Sequence, residues 1–253
     1  DPLEYVDGMG LYAYVAGRTT NALDPIGLAG GFYVNHTSGR GRASDIQRMT
    51  KPADASGLYD RDKIHGHTLA DWDLAEHTGE LPESLREADK ESMWIYIGHM
   101  AWHPNHKKDP QHPNSIEEHD TWPNSNDAIH IDHVSREAMT GGKFIGLMVI
   151  GGCKSCDFVN KLVQSGATPC AVCVANTAAE GHLMAVLQEF VKQLHDTQNP
   201  RTLRQAAQGA QRTSPGFQAN GNELKIICRD GKDLDLKLSD YYKKNRTRQL
   251  NRR

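Results

Sequence analysis

The stretch from Lys143 to Cys156 (Lys-Phe-Ile-Gly-Leu-Met-Val-Ile-Gly-Gly-Cys-Lys-Ser-Cys) limits the possible folds more than any other. Phe144 to Ile150 is short, apolar and rich in β-formers, which predicts a strand buried on both faces. Gly151-Gly152 forces a turn, and Cys153 follows it. Phe158, Val159, Leu162 and Val163 then repeat at helical spacing until Gly166, a helix-ending residue. Strand, glycine turn, cysteine and helix together lift a side chain to the carboxyl edge of a parallel sheet, where open α/β folds place their sites. A second apolar run, Met93 to Ile97, ends in Gly98-His99. If the two runs are neighbouring parallel strands, His99 and Cys153 emerge at the same edge. A thiol beside an imidazole is the minimal nucleophile–base pair. The plainer alternative is a buried cysteine at a strand end.

With 253 residues, 38% of them hydrophobic and 24% charged, the chain suits one medium domain or one domain with an appendage. A net charge of -3 gives no global argument for binding nucleic acid or membrane. No apolar run approaches the roughly 20 residues of a membrane span, and the first residues have no signal-peptide pattern. Five cysteines form an odd, sparse set, which argues against a disulfide scaffold and for thiols working in a reducing cytosol.

Along the chain, Gly31 to Asn35 predicts a first strand. Residues 36–80 are polar, with a weak helical pattern after Ser44. Pro82 to Lys90 predicts a short helix with proline in its first turn. Residues 99–133 hold seven of the 13 histidines among Pro104, Pro110, Pro113 and Pro123, and read as a long loop. His99 and His103 have metal-like spacing, but the prolines argue against a helix to present them. Beyond Cys153, Pro169 to Ala175 predicts a strand, and Thr177 with Glu180 a capping box. Leu183, Val186, Leu187, Phe190, Val191 and Leu194 give a helix with one apolar face. A further helix is expected from Asn199-Pro200 to about Gln211. Asp230-Gly231, between Leu224–Arg229 and Lys232–Leu238, predicts a C-terminal β-hairpin. A solvated basic tail is expected from Lys243 onward.

Cys153-x2-Cys156 and Cys170-x2-Cys173 have nearly the spacing of a zinc ribbon. Their context opposes that reading. Cys170 and Cys173 fall in an apolar strand, where residues three apart point to opposite faces and cannot grip one ion.

Residues 1–28 alternate turn dipeptides with short β-prone runs and are too few to bury a core alone. They resemble the last repeat of the Rhs/YD-repeat shell proteins, whose core closes with Asp-Pro-x-Gly-Leu, here Asp24 to Leu28. The resemblance implies a variable toxin domain over residues 29–253. It also implies a shell that cuts itself between Leu28 and Ala29 using aspartates, for which Asp1 and Asp24 are the matching positions. Both residues equally suit plain Asp-Pro turns.

Residues from about 90 to 211 resemble the caspase-like (clan CD) cysteine peptidases, nearest to the CHAT and separase branch. The resemblance rests on the strand ending in Gly98-His99, the strand ending in Gly152-Cys153-Lys154-Ser155, the helix and strand after it, and the amphipathic helix followed by the Asn199 helix. It implies a three-layer α/β sandwich with a mainly parallel central sheet. It makes Cys153 the nucleophile and His99 the general base and then acid. The backbone N–H groups of Met100 and Cys153 form the oxyanion hole, with methionine standing where the family usually has glycine. It implies peptide hydrolysis through a thioester without metal or cofactor. Together the two resemblances imply a secreted, type VI-like effector of interbacterial competition, delivered into the target-cell cytoplasm. Its partners are then a protein substrate, a cognate immunity protein and the Rhs shell, with no nucleic acid or membrane among them. Because Rhs tips are commonly nucleases, a metal-dependent nuclease using the His-rich loop or the cysteines is the alternative.

Overall fold

The computed structural model describes residues 30–36, 42–68, 83–98, 115–117, 128–219 and 221–248. Its centre is a six-stranded sheet built from β1 (Phe32–His36), β2 (Ile64–Thr68), β3 (Met93–Ile97), β6 (Leu147–Gly151), β7 (Cys170–Val174) and β8 (Leu224–Cys228). The order is β2-β1-β3-β6-β7-β8; all neighbours are parallel except β7 and β8. β4 (Ser115–Glu117) and β5 (Ala128–His130) pair antiparallel apart from it. The two apolar runs singled out above are therefore neighbouring parallel strands.

Helices cover both faces. α1 (Arg42–Ser56), α5 (Glu180–Leu194), α6 (Leu203–Arg212), α7 (Pro215–Gln218) and α8 (Leu238–Thr247) send side chains into one core, with Phe32, Val34, Ile95, Val149 and Val172 from the strands. α2 (Glu83–Glu87), α3 (Ile131–Ala138) and α4 (Cys156–Ser165) close the other, over Tyr33, Trp94, Tyr96, Met148 and Ile150. The strand period of two assigns alternate residues to the two cores, and every residue of β1, β3, β6 and β7 is buried. α4 ends at Gly166 (φ 92°), as its sequence predicts. All six apolar positions of the predicted helix after Thr177 lie buried in α5.

Several expectations are corrected. The segment after Ser44 is a full helix, α1, with Pro52 inside it. β2, Ile-His-Gly-His-Thr, was not legible, because an edge strand half in solvent needs no apolar run. Its Gly66 is required, since a Cβ there would lie 1.9 Å from Ile46 Cγ2 of α1. Residues 99–133 are not loop throughout, as β4, β5 and the start of α3 fall within them. α5 has no Thr177–Glu180 capping box: its N-cap is Ala179, and the Thr177 carbonyl instead accepts from Asn222 Nδ2 at 2.9 Å. The box occurs at α6, between Thr202 and Gln205, so that helix starts at Leu203 rather than at Asn199.

The C-terminal hairpin does not form. Asp230 caps a short 3-10 helix, Gly231–Asp235, and β8 pairs only with β7 among the described residues. The reason is Asp233, fully buried, which accepts from Lys244 Nζ and Arg248 Nη2, each at 2.7 Å. Anchoring these two cations draws the chain into α8 instead of back along β8. The same pairs, with Arg246 on Glu91 at 2.9 Å, fix the basic segment through Arg248 to the domain rather than leaving it solvated.

Beneath the α1/α5 face, His195 is buried between Tyr59 Oη, 2.9 Å from Nε2, and the Val191 carbonyl, 2.7 Å from Nδ1. Burial pushes its pKa from 6.5 down to about 4. The folded protein therefore holds it neutral while the unfolded chain protonates it. Its contribution to stability is complete above pH 6.5 and is lost as the pH falls toward about 4. Urea midpoints are expected to decline below pH 6.5, with His195 adding a slope of up to about 1.4 kcal/mol per pH unit. A His195→Gln variant should lose that part of the slope, and an unchanged slope would exclude it.

Candidate active site

β3 and β6 leave the sheet side by side. Ile97 pairs with Gly151, and the Gly98 N–H donates to the Gly151 carbonyl at 3.2 Å. A Cβ on Gly151 would stand 2.6 Å from Leu187 Cδ1 and 3.2 Å from the Tyr96 carbonyl, so a side chain there would displace Leu187 of α5 and press on β3. Two residues later, Cys153 comes out half-exposed, as the one cysteine without a disulfide. Its Sγ lies 3.7 Å from the Ala178 carbonyl, and the Ala178 N–H approaches it at 3.5 Å. These long contacts set the thiol against the segment between β7 and α5. That segment is itself fixed, through Ala175 N–H to the Glu223 carbonyl (2.9 Å) and Asn176 Nδ2 to the Gly221 carbonyl (2.8 Å).

The turn carrying Cys153 is held by Ser155, a residue to which the sequence reading gave no role. Ser155 precedes α4, and a serine there normally caps a helix, yet its hydroxyl makes no cap bond. The buried hydroxyl instead donates to the Ile150 carbonyl at 2.9 Å and accepts from the Val174 N–H at 3.0 Å. The Ser155 N–H donates to the Val174 carbonyl, also at 3.0 Å. One side chain thus ties the end of β6 to the end of β7. The preceding residue, Lys154, takes φ 54°, a left-handed conformation that is unfavourable for a side chain with Cβ. Such strain persists only where the surroundings impose it, and here the bonds of Ser155 impose it.

The four remaining cysteines correct the expectation of a reduced, disulfide-free chain. Cys156 is bonded to Cys173 and Cys170 to Cys228. The strand period explains both. Cys173 faces the α4 side of β7 and meets the first residue of α4. Cys170 faces the other side and meets Cys228, its register partner on β8. The opposite-face argument against a zinc ribbon thus holds, and the sulfurs it separates are bonded to different partners. Among the described residues, no group of three or more His, Cys, Asp or Glu is placed to hold a metal ion.

Of the residues predicted to act together, the structure places Cys153. His99 and Met100 lie outside the described residues, as do Asp1, Asp24, Leu28 and Ala29 of the junction. Gly98, the residue before His99, is the described part of the predicted partner and sits on Gly151 beside the cysteine turn. No protein-family model and no curated protein matches the chain.

Replacing Ser155 by alanine removes the hydroxyl's bonds to β6 and β7 and leaves a buried N–H and carbonyl without that partner. Ser155→Ala is expected to lower the unfolding free energy by about 1–3 kcal/mol in urea titrations. A midpoint equal to that of the parent would show that the hydroxyl does not hold the turn.

Proposed function

We propose that the chain is the toxic tip of an Rhs-type effector, and that residues 29–253 are a caspase-like Cys–His endopeptidase. The observation that carries this reading is the position of Cys153. It is the one unpaired, half-exposed thiol, at the carboxyl end of a buried parallel strand, beside the strand that leads into His99. Ile97 and Gly151 are paired, and His99 and Cys153 are each two residues further along. The layered α/β architecture, with helices on both faces of a mainly parallel sheet, agrees with what the resemblance to the clan CD peptidases implies.

In this mechanism His99 takes the thiol proton, and the Cys153 sulfur attacks the scissile carbonyl. The backbone N–H groups of Cys153 and Met100 receive the developing oxyanion, usually the largest single contribution to acyl transfer. His99 returns the proton to the departing amine, and water, activated by the same imidazole, hydrolyses the thioester. No metal or cofactor takes part. The substrate is a protein of the target cell, into whose cytoplasm the domain is delivered, and a cognate immunity protein guards the producer. The metal-dependent nuclease alternative loses four of its five sulfur ligands, because Cys156, Cys173, Cys170 and Cys228 are in disulfides and Cys153 alone keeps its thiol. It keeps the His-rich 99–133 segment and the single thiol of Cys153.

Cys153→Ala and His99→Ala are each expected to abolish both toxicity in a susceptible host and the appearance of new protein N-termini in intoxicated cells, while folding is retained. Full toxicity of a folded Cys153→Ala protein would end the peptidase reading. EDTA-sensitive loss of nucleic acid would favour the nuclease.

The junction gives a separate expectation. A pair of carboxylates held close can share a proton, one activating water and the other protonating the leaving group. Asp1 and Asp24, held close by a complete shell, should direct cleavage between Leu28 and Ala29 in the full-length parent, and cleavage should be slow or absent in residues 1–253 alone, where the shell is missing. Intact mass decides it: an uncut parent with Asp24 present would exclude self-processing.

A further inference from the structure

The three sulfurs at the carboxyl edge do not have independent chemistry. Cys153 and Cys156 stand in Cys-x-x-Cys spacing on one turn and are both half-exposed. Cys156 is the first residue of α4, and it is already bonded to Cys173. A thiol three residues from one sulfur of a disulfide is the arrangement in which exchange takes place without a second molecule.

We propose that Cys153, Cys156 and Cys173 form an internal thiol–disulfide relay that reversibly masks Cys153. The Cys153 thiolate attacks Cys156 Sγ, and the Cys153–Cys156 bond forms as the Cys156–Cys173 bond breaks. Cys173 departs with the electron pair and takes up a proton. One disulfide replaces another, so no oxidant or reductant is consumed. The proposal names a regulation of the site described above, and it rests on the peptidase reading for its purpose but not for its chemistry.

Four observations favour the relay. Among the described residues the Cys153 thiol has only the long contacts of 3.5 and 3.7 Å to Ala178, which a rotation of the side chain breaks at little cost. The intervening Lys154 is in a strained left-handed conformation, so the turn between the two sulfurs is not at a backbone minimum that would resist rearrangement. Cys173 is fully buried among apolar neighbours, where a protonated thiol behaves as a small apolar side chain and needs no new partner. Finally, Cys170–Cys228 lies on the other face of β7, so the exchange is confined to these three sulfurs. In the exchanged form Cys153 is no nucleophile, and a reducing cytosol restores it.

Trypsin cuts after Lys154 and Lys161, which puts Cys153, Cys156 and Cys173 on separate peptides. The unreduced protein is to be held at neutral pH, quenched with acid, alkylated with N-ethylmaleimide and mapped by mass spectrometry without reduction. The label is expected to divide between Cys153 and Cys173, together with a peptide pair joined through Cys153 and Cys156. In a glutathione redox buffer, a folded Cys173→Ala variant should lose both remaining thiols to that same bond. Label confined to Cys153 at all times in the wild type, or two persistent free thiols in folded Cys173→Ala, would overturn the relay. Exchange alongside a fully toxic Cys153→Ala would keep the relay and remove the peptidase, and the reverse pair of results would do the opposite.

Discussion

The central strands are buried on both faces, and this constrains everything else in the molecule. Along β1, β3, β6 and β7 no residue reaches solvent. Polar groups inside must therefore satisfy one another. Trp94 Nε1 donates to Ser84 Oγ, Ser84 Oγ donates to Asn35 Oδ1, and Asn35 Nδ2 donates to the Ile95 carbonyl, a chain of 3.0 to 3.2 Å bonds threading the buried layer. A sheet sealed in this way offers chemistry only where its strands stop. At that edge the backbone needs new partners, and Ser155 supplies them for two strands at once.

The same alternation that seals the sheet sorts its sulfurs. In β7, Cys170 and Cys173 belong to different cores although only Ala171 and Val172 separate them. One fastens the antiparallel strand β8, and the other fastens the first turn of α4. Cys153, past the end of β6, stands outside this lattice and keeps its thiol.

How much of this could be read in advance depended on where each residue's information lay. The β3, β6 and β7 strands were legible because both faces are apolar, and α5 because its buried stripe has helical period. β2 was not, since its reasons lie in α1: Gly66 makes room for Ile46, a residue of another element and outside any local pattern. The Asp230-Gly231 turn signal was real, in that Asp230 caps a turn, but the strand return it predicts was overridden by the burial of Asp233 with two cations far along the chain. At the site, Cys153 announced itself through the glycines before it. Ser155 did not, because its partners are backbone atoms on two strands rather than residues in a motif. The disulfides were hidden by an odd cysteine count, which misled only because the fifth cysteine is the one left free.

The two disulfides also determine how the chain behaves under tension. Pulled from its two ends, the covalent path runs from Cys156 across to Cys173, back along β7 to Cys170, and across again to Cys228. Between Cys156 and Cys228 only the stretch Cys170–Cys173 carries load; the bodies of α4, α5, α6, α7 and β8 hang from it as slack loops. A machine that threads polypeptide through a narrow channel would meet, at Cys156, a node that cannot be drawn out single file. Single-file passage requires both bonds to be open, so a chain threaded in this way must cross reduced and close its loops afterwards.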